Sequence, residues 1–167
     1  MGPPVLDRIV ATGPRAVVRR VGARWGEAAR PGDVIALIGG LGAGKTFVSQ
    51  AIVHGAGVPD DVRVASPTFT IVQSYANARL AVWHADLYRL GTADEVDEIG
   101  LFDEGAEGLV VVEWADRFVD AVPRDALWVE LRKHGGNALV RTIVAGGTGD
   151  RVERLLAASL RTSDDVL

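Results

Sequence analysis

Apolar positions along this chain fall into short continuous runs alternating with amphipathic stretches. Residues 5–10 have the apolar content of a short strand. Residues 15–29 read as a helix, because Val17, Val18, Val21, Trp25 and Ala28 fall on one stripe with arginines between them. Pro31-Gly32-Asp33 turns the chain into Val34–Ile38, an apolar run of the kind that makes a strand buried on both faces. A helical period returns over residues 45–56, with Phe47, Val48, Ala51 and Ile52 facing inward and Gly57 near its end. Pro67 interrupts whatever strand precedes it, and alternation resumes through Tyr75. Residues 76–79 suit a hairpin turn into a strand over 80–86. Thr92-Ala-Asp-Glu95 has capping-box spacing and predicts a helix toward Phe102. Leu109–Glu113 is a buried strand that ends in a carboxylate, and 116–122 is a helical turn stopped by Pro123. Residues 126–133 and 138–145 alternate around His134-Gly-Gly-Asn137 as a hairpin, and 151–160 forms a terminal helix. The tail, 162–167, is expected to fray.

Strands separated by helices, with hairpins added, predict an α/β fold. It has three layers around a mixed parallel and antiparallel sheet, in a single domain over 1–167. The length of 167 residues fits one domain with a sizeable core. There is no cysteine, which excludes disulfides and thiolate chemistry and suits a reducing cytosol. The first ten residues lack a basic region followed by an apolar core, and no apolar run approaches a membrane span. A cytoplasmic protein without membrane contact is therefore expected. A net charge of −4 argues against a protein that grips nucleic acid alone, though not against one that joins a basic partner.

Candidate chemistry centres on the residues after Ile38. Gly39-Gly-Leu-Gly-Ala-Gly-Lys-Thr46 is G-x-x-x-x-G-K-[ST], with a strand in front and a helical pattern behind. Glycines let the backbone curl so that N–H groups face phosphate oxygens, and the helix N-terminus adds a favourable field. Lys45 brings a positive charge to the β and γ phosphates, and the Thr46 hydroxyl is placed to ligate Mg²⁺. The expected nucleotide-binding set is Gly39, Leu41, Gly42, Ala43, Gly44, Lys45, Thr46 and Phe47. A P-loop NTPase-like domain using ATP/ADP and Mg²⁺ follows. The N-K-x-D guanine reader is absent, and Asp97-Glu-Ile-Gly100 falls inside a helical pattern rather than at a strand end, so adenine is preferred.

Nucleotide hydrolysis also needs a carboxylate near the metal and a group to position water. Two predicted strands end in acids, Asp86 and Glu113, so Lys45, Asp86 and Glu113 are the catalytic candidates. Thr46, Glu113 and Asp86 are the metal candidates, and the sequence leaves open which acid touches the ion. Ser66, Thr68 and Thr70 surround Pro67, either as a switch-like segment or as a hydroxyl-capped turn. His84 shares a strand face with Asp86, either orienting it or sitting as an interior histidine. Arg89, Arg117, Arg132 and Lys133 either neutralise phosphate or lie on the surface. Trp114 either covers a nucleotide ring or packs in the core.

These stretches together resemble the TsaE family (formerly YjeE), the small bacterial ATPases of tRNA threonylcarbamoyladenosine synthesis. The resemblance lies in Leu41-Gly-Ala-Gly-Lys-Thr46, Ser66-Pro-Thr-Phe69, His84-Ala-Asp-Leu-Tyr-Arg-Leu90 and Val112-Glu-Trp114, in the family's order and spacing. It implies an ATPase that works with the TsaB–TsaD pair and meets tRNA only through that assembly. It also implies that Lys45 and Thr46 hold phosphate and Mg²⁺, that Glu113 is the Walker-B-like acid and metal ligand, and that Asp86 is the other essential acid. Ser66, Pro67, Thr68 and Phe69 match the family's switch-like segment. Gly40 stands where the family usually has an acid, and Val18 where it usually has threonine. Two other readings of the same loop are a small-molecule kinase and a nucleotide sensor that does not hydrolyse.

Overall fold

The computed structural model describes residues 2–159; the predicted last helical residue, Leu160, and the tail 162–167 lie outside them. Among the described residues, β1 (Arg8–Gly13) leads into α1 (Arg15–Ala28), followed by β2 (Val34–Ile38) and α2 (Lys45–Gly55). Next come β3 (Val72–Tyr75), β4 (Val82–Asp86), α3 (Ala93–Ile99), α4 (Leu101–Glu104) and β5 (Leu109–Glu113). A 3₁₀ segment over Ala115–Ala121 leads to β6 (Leu127–His134), β7 (Asn137–Gly146) and α5 (Asp150–Ser159).

The strands form one sheet in the order β1-β7-β6-β2-β5-β4-β3. Its centre is parallel, with β2 between β5 and β6 and β4 beyond β5. Antiparallel β7 and β1 extend one edge and antiparallel β3 the other. This is the mixed, three-layer α/β architecture that the hydrophobic pattern predicts. Every residue of β2 and β5 is buried, as a strand covered on both faces requires. Ile35 and Leu37 of β2 pack with Val18, Trp25, Val48, Ile52 and Leu155 on the α1–α2–α5 side. Val34, Ala36 and Ile38 face Val96, Leu101, Val112 and Trp128 on the other.

Local departures from the predicted pattern have local causes. The first strand begins at Arg8 rather than at residue 5. The helix capped by Thr92 does not run unbroken to Phe102. Gly100 takes a left-handed conformation, φ +68°, and divides it into α3 and α4. After Pro67 the chain stays irregular until Val72.

One close approach sets the geometry of the site. A Cβ on Gly26 would lie 2.1 Å from the Ile52 carbonyl oxygen, so α1 and α2 cross in near backbone contact. Trp25, fully buried beside this crossing, donates its indole N–H to the Leu155 carbonyl at 3.2 Å and fixes α5 against α1. The N-terminus of α1 thereby reaches the first turn of α2, where the Arg15 guanidinium lies 4.4 Å above the Phe47 ring.

Candidate functional site

The sheet's parallel centre delivers the predicted residues to one place. β2 ends at Ile38, and Gly39 to Gly44 form a loop that caps α2. Gly39, Gly42 and Gly44 have φ of +147°, +74° and +106°, conformations that a side chain would strain. Lys45 folds back over this loop, donating to the carbonyls of Gly39 at 2.7 Å and Gly40 at 2.8 Å. Its ammonium also sits 3.9 Å from the centre of the Trp114 ring. Burial holds the Lys45 pKa below the usual lysine range, against the opposite pull of Glu113, Asp116 and Asp86.

Register does the rest. β4 and β5 run parallel with Asp86 opposite Glu113, so both acids leave the sheet on the same face at neighbouring strand ends. Glu113 is almost fully buried and sits among three polar side chains, of which Ser49 also donates to the Lys45 carbonyl at 2.9 Å. Thr46 Oγ1 donates to Glu113 Oε1 at 2.9 Å, the Ser49 hydroxyl lies 3.3 Å from Oε2, and His84 Nε2 is 2.5 Å from Oε2. Asp86 is held by different groups. Its Oδ2 accepts from Ser66 at 3.0 Å and Thr68 at 3.4 Å, and its Oδ1 from the Tyr88 amide at 2.9 Å.

His84 therefore belongs to Glu113 and not, as one reading of the sequence had it, to Asp86. Alternation on β4 puts His84 and Asp86 on one face, but the neighbouring strand brings the Glu113 carboxylate to the imidazole while hydroxyls occupy Asp86. His84 is wholly buried, and its Nδ1 has no partner among the described residues. The Ser66–Phe69 segment meets the site through its hydroxyls. Pro67 is buried, whereas Phe69 is 81% exposed, with the Arg89 guanidinium 4.2 Å above its ring. Ile71 closes the segment at φ +68°, a strained conformation for a β-branched residue. Its N–H bonds the Pro67 carbonyl and its carbonyl accepts the Asp86 N–H.

Two cavities share Gly42 and Gly44. One, of about 450 Å³, is lined by Lys45, Thr46, Ser66, Asp86, Glu113 and Trp114. The other, of about 540 Å³, is largely apolar and is lined by Pro14, Val18, Ala43, Phe47, Leu139 and Arg141, among others. Trp114 belongs to the first. Phe47 belongs to the second, and Leu41, 81% exposed, stands at the rim of the first.

The donor set suits a hard cation. Thr46 supplies a hydroxyl oxygen, and Glu113 and Asp86 supply carboxylates from adjacent strands. Among the described residues no three His, Asp or Glu side chains gather at one point.

Among the side chains at the site, Ser49 and Arg141 lie outside the sequence reading, whereas Lys133 is one of its candidate cations. Ser49 lies one helical turn beyond Lys45, a polar residue on an otherwise apolar inner face, and that spacing was a usable signal. Arg141 reaches the carbonyls of Ala43 at 2.9 Å and Gly42 at 3.4 Å, and Lys133 reaches that of Leu41 at 3.3 Å. Of the remaining candidate cations, Arg132 pairs with Glu130 and Arg117 donates to the Leu90 carbonyl.

A family model described as "Threonylcarbamoyl adenosine biosynthesis protein TsaE" matches residues 14–143. The chain belongs to the TsaE family. TsaE proteins take part in tRNA threonylcarbamoyladenosine biosynthesis. The TsaE protein of Bacillus subtilis (strain 168) is 36% identical over 140 residues, covering 83% of this chain and 84% of that protein. The TsaE protein of Rickettsia felis is 32% identical over 132 residues, covering 78% and 75%. The crystal structure of Bacillus subtilis YdiB superposes with a TM-score of 0.75 at 28% identity, covering 92% of this chain and 95% of that one. The TsaE match includes β6 and the first seven of the ten residues of β7, Arg141 among them, as well as the loop and both acids. Among the described residues no helix is long and apolar enough to cross a membrane.

Proposed function

We propose that this chain binds ATP on the loop from Gly39 to Thr46 and hydrolyses it, as a Mg²⁺-dependent ATPase subunit of tRNA threonylcarbamoyladenosine modification. It acts in the cytoplasm with the TsaB–TsaD pair, and tRNA reaches it only through that assembly. The reading rests above all on the hydrogen bond between Thr46 and Glu113, with Asp86 beside it in register. A loop that merely turned a strand into a helix would have no need of two acids at its mouth.

In this reading the backbone N–H groups of the loop and the N-terminus of α2 receive the phosphates. Lys45 exchanges the carbonyls of Gly39 and Gly40 for phosphate oxygens. Thr46, Glu113 and Asp86 hold the magnesium ion, which neutralises charge on the β and γ phosphates when bound. His84 and Ser49 fix the Glu113 carboxylate, and the hydroxyls of Ser66 and Thr68 tie Asp86 to the switch-like segment. The apolar cavity between Phe47 and Leu139 has the character of a base site, and adenine enters it from Gly42 and Gly44.

Calorimetry with ADP and ATP in magnesium buffer tests the binding. Wild-type protein should give a heat of mixing and Lys45→Ala should not; silence from the wild type would overturn the reading. Capture of the TsaB–TsaD pair from native lysate, dependent on whether ATP or ADP is present, tests the assembly.

A further inference from the structure

Basic side chains hold much of the shape of this loop. The carbonyls of five successive residues each accept from one. Gly39 and Gly40 are taken by Lys45, which lies within the motif. Leu41, Gly42 and Ala43 are taken by Lys133 and Arg141, which come from the β6–β7 hairpin roughly a hundred residues further along the chain.

Among the described residues no peptide bond is cis. In a trans peptide the carbonyl of one residue and the N–H of the next point in opposite directions. A cation that fixes the Leu41 carbonyl therefore turns the Gly42 N–H to the other side, and one that fixes the Ala43 carbonyl turns the Gly44 N–H likewise. The Ala43 N–H is already bonded to the Gly40 carbonyl at 3.1 Å. Of these residues, Gly42 and Gly44 line the cavity with Lys45 and Thr46, while Ala43 does not. Arg141 is braced for this task. Its Nη1 donates to Ala138 at 2.6 Å and Val140 at 3.1 Å, so the guanidinium bridges hairpin backbone and loop backbone.

We propose that Arg141, assisted by Lys133, is a positioning residue for nucleotide binding: by holding the carbonyls of Leu41 to Ala43 outward it aims the N–H groups of Gly42 and Gly44 at the phosphates. The proposal rests on the nucleotide reading of this loop. It differs from a direct contact in that Arg141 acts on the loop before any ligand arrives. A flexible glycine loop without the strap must be ordered by the phosphate itself, and that cost weakens binding.

The test uses the full chain and Arg141→Met, which keeps the apolar stem and removes all donors. Titration with Mg·ADP should show affinity weakened about tenfold or more, the scale expected for losing charge-assisted hydrogen bonds. Amide hydrogen exchange in the nucleotide-free protein should be faster at Ala43, whose N–H is bonded to the Gly40 carbonyl and shares its peptide with the carbonyl that Arg141 holds, and unchanged in β2 and β5. Arg141→Lys, which can still reach Ala43, should recover part of both effects. Weaker binding with unchanged exchange in the free loop would make Arg141 a direct ligand contact and overturn the proposal. Unchanged binding and exchange would overturn it as well. If Arg141→Met fails to fold, Lys133→Met on the exposed end of the hairpin is read in the same way at Ala43. Should the wild type bind no Mg·ADP, the nucleotide reading falls, and exchange at Ala43 still decides whether the hairpin holds the loop.

Discussion

His84 Nε2 lies 2.5 Å from Glu113 Oε2 in a position closed to solvent, and this contact is what fixes the acid at the mouth of the phosphate loop. His84→Leu leaves Glu113 with Thr46 and Ser49 alone, and a buried carboxylate short of one partner costs about 1–3 kcal/mol. Chemical denaturation should show that loss. Phosphate release, measured with the TsaB–TsaD pair present, should fall about tenfold or more, because the carboxylate is no longer held in one geometry. Mg·ADP affinity should change little, since the loop is untouched. Equal losses in affinity and turnover would point to a misfolded site instead.

Asp33 anchors the opposite end of β2. It is wholly buried, accepts from Arg154 at 2.6 and 2.7 Å and from Arg151 at 3.0 Å, and receives the Arg30 amide at 2.8 Å. Asp33→Ala removes the shared acceptor of Arg154 and Arg151 where α5 meets the sheet; both guanidiniums reach solvent and Arg151 keeps Asp125, so the loss should be about 1–3 kcal/mol. Urea unfolding should register it. Nucleotide affinity of the remaining folded protein should stay within a factor of about two, because the whole of β2 separates Asp33 from the loop.

The sequence made these two ends of β2 legible to different degrees. Leu109–Glu113 was read with its final boundaries, and the acids at Asp86 and Glu113 followed, because an apolar run ending in a carboxylate has few other meanings behind a phosphate loop. Alternation also gave the face of β4 that carries His84. It could not give the partner, since that depends on which strand lies next to β4, and strand order is a property of the whole sheet. Lys133 stands among the candidate cations of the sequence, but its place on the loop, like that of Arg141, is harder still to read. Arg141 meets Ala43 across 98 residues of chain, and nothing near either residue records the meeting. Gly100 shows the reverse: the capping box at Thr92 is legible, but the glycine that ends the helix eight residues later lies inside a continuing helical pattern.

Trp114 should report occupancy of the site. Its φ of +58° is unusual for a bulky residue and turns the ring under the Lys45 ammonium, 3.9 Å away. Phosphates that draw Lys45 off the loop carbonyls also change the charge above the indole. Titration with Mg·ATP should therefore change tryptophan fluorescence, and Trp114→Phe should abolish most of that change while Trp25, Trp83 and Trp128 remain. A signal that survives the substitution would locate the movement elsewhere.

Lys45 also sets a pH dependence whose sign is determined. Burial lowers its pKa in the free protein, with Glu113, Asp116 and Asp86 pulling the other way. In the folded chain the neutral amine is thus favoured relative to the unfolded one, so this residue's contribution to stability rises with pH between its folded and unfolded pKa values. Binding has the opposite sign. A polyphosphate against the ammonium raises the pKa, so the complex takes up a proton once the free amine has lost it. Affinity is full below the pKa of the free site and falls by up to about tenfold per pH unit above it, until the pKa of the complex is reached. Calorimetric titrations with Mg·ADP in two buffers of different ionisation enthalpy, between about pH 7 and pH 10, should show proton uptake that grows with pH and begins below the range of an ordinary lysine. Uptake that is absent throughout would mean that Lys45 stays on the carbonyls of Gly39 and Gly40 when the nucleotide is bound.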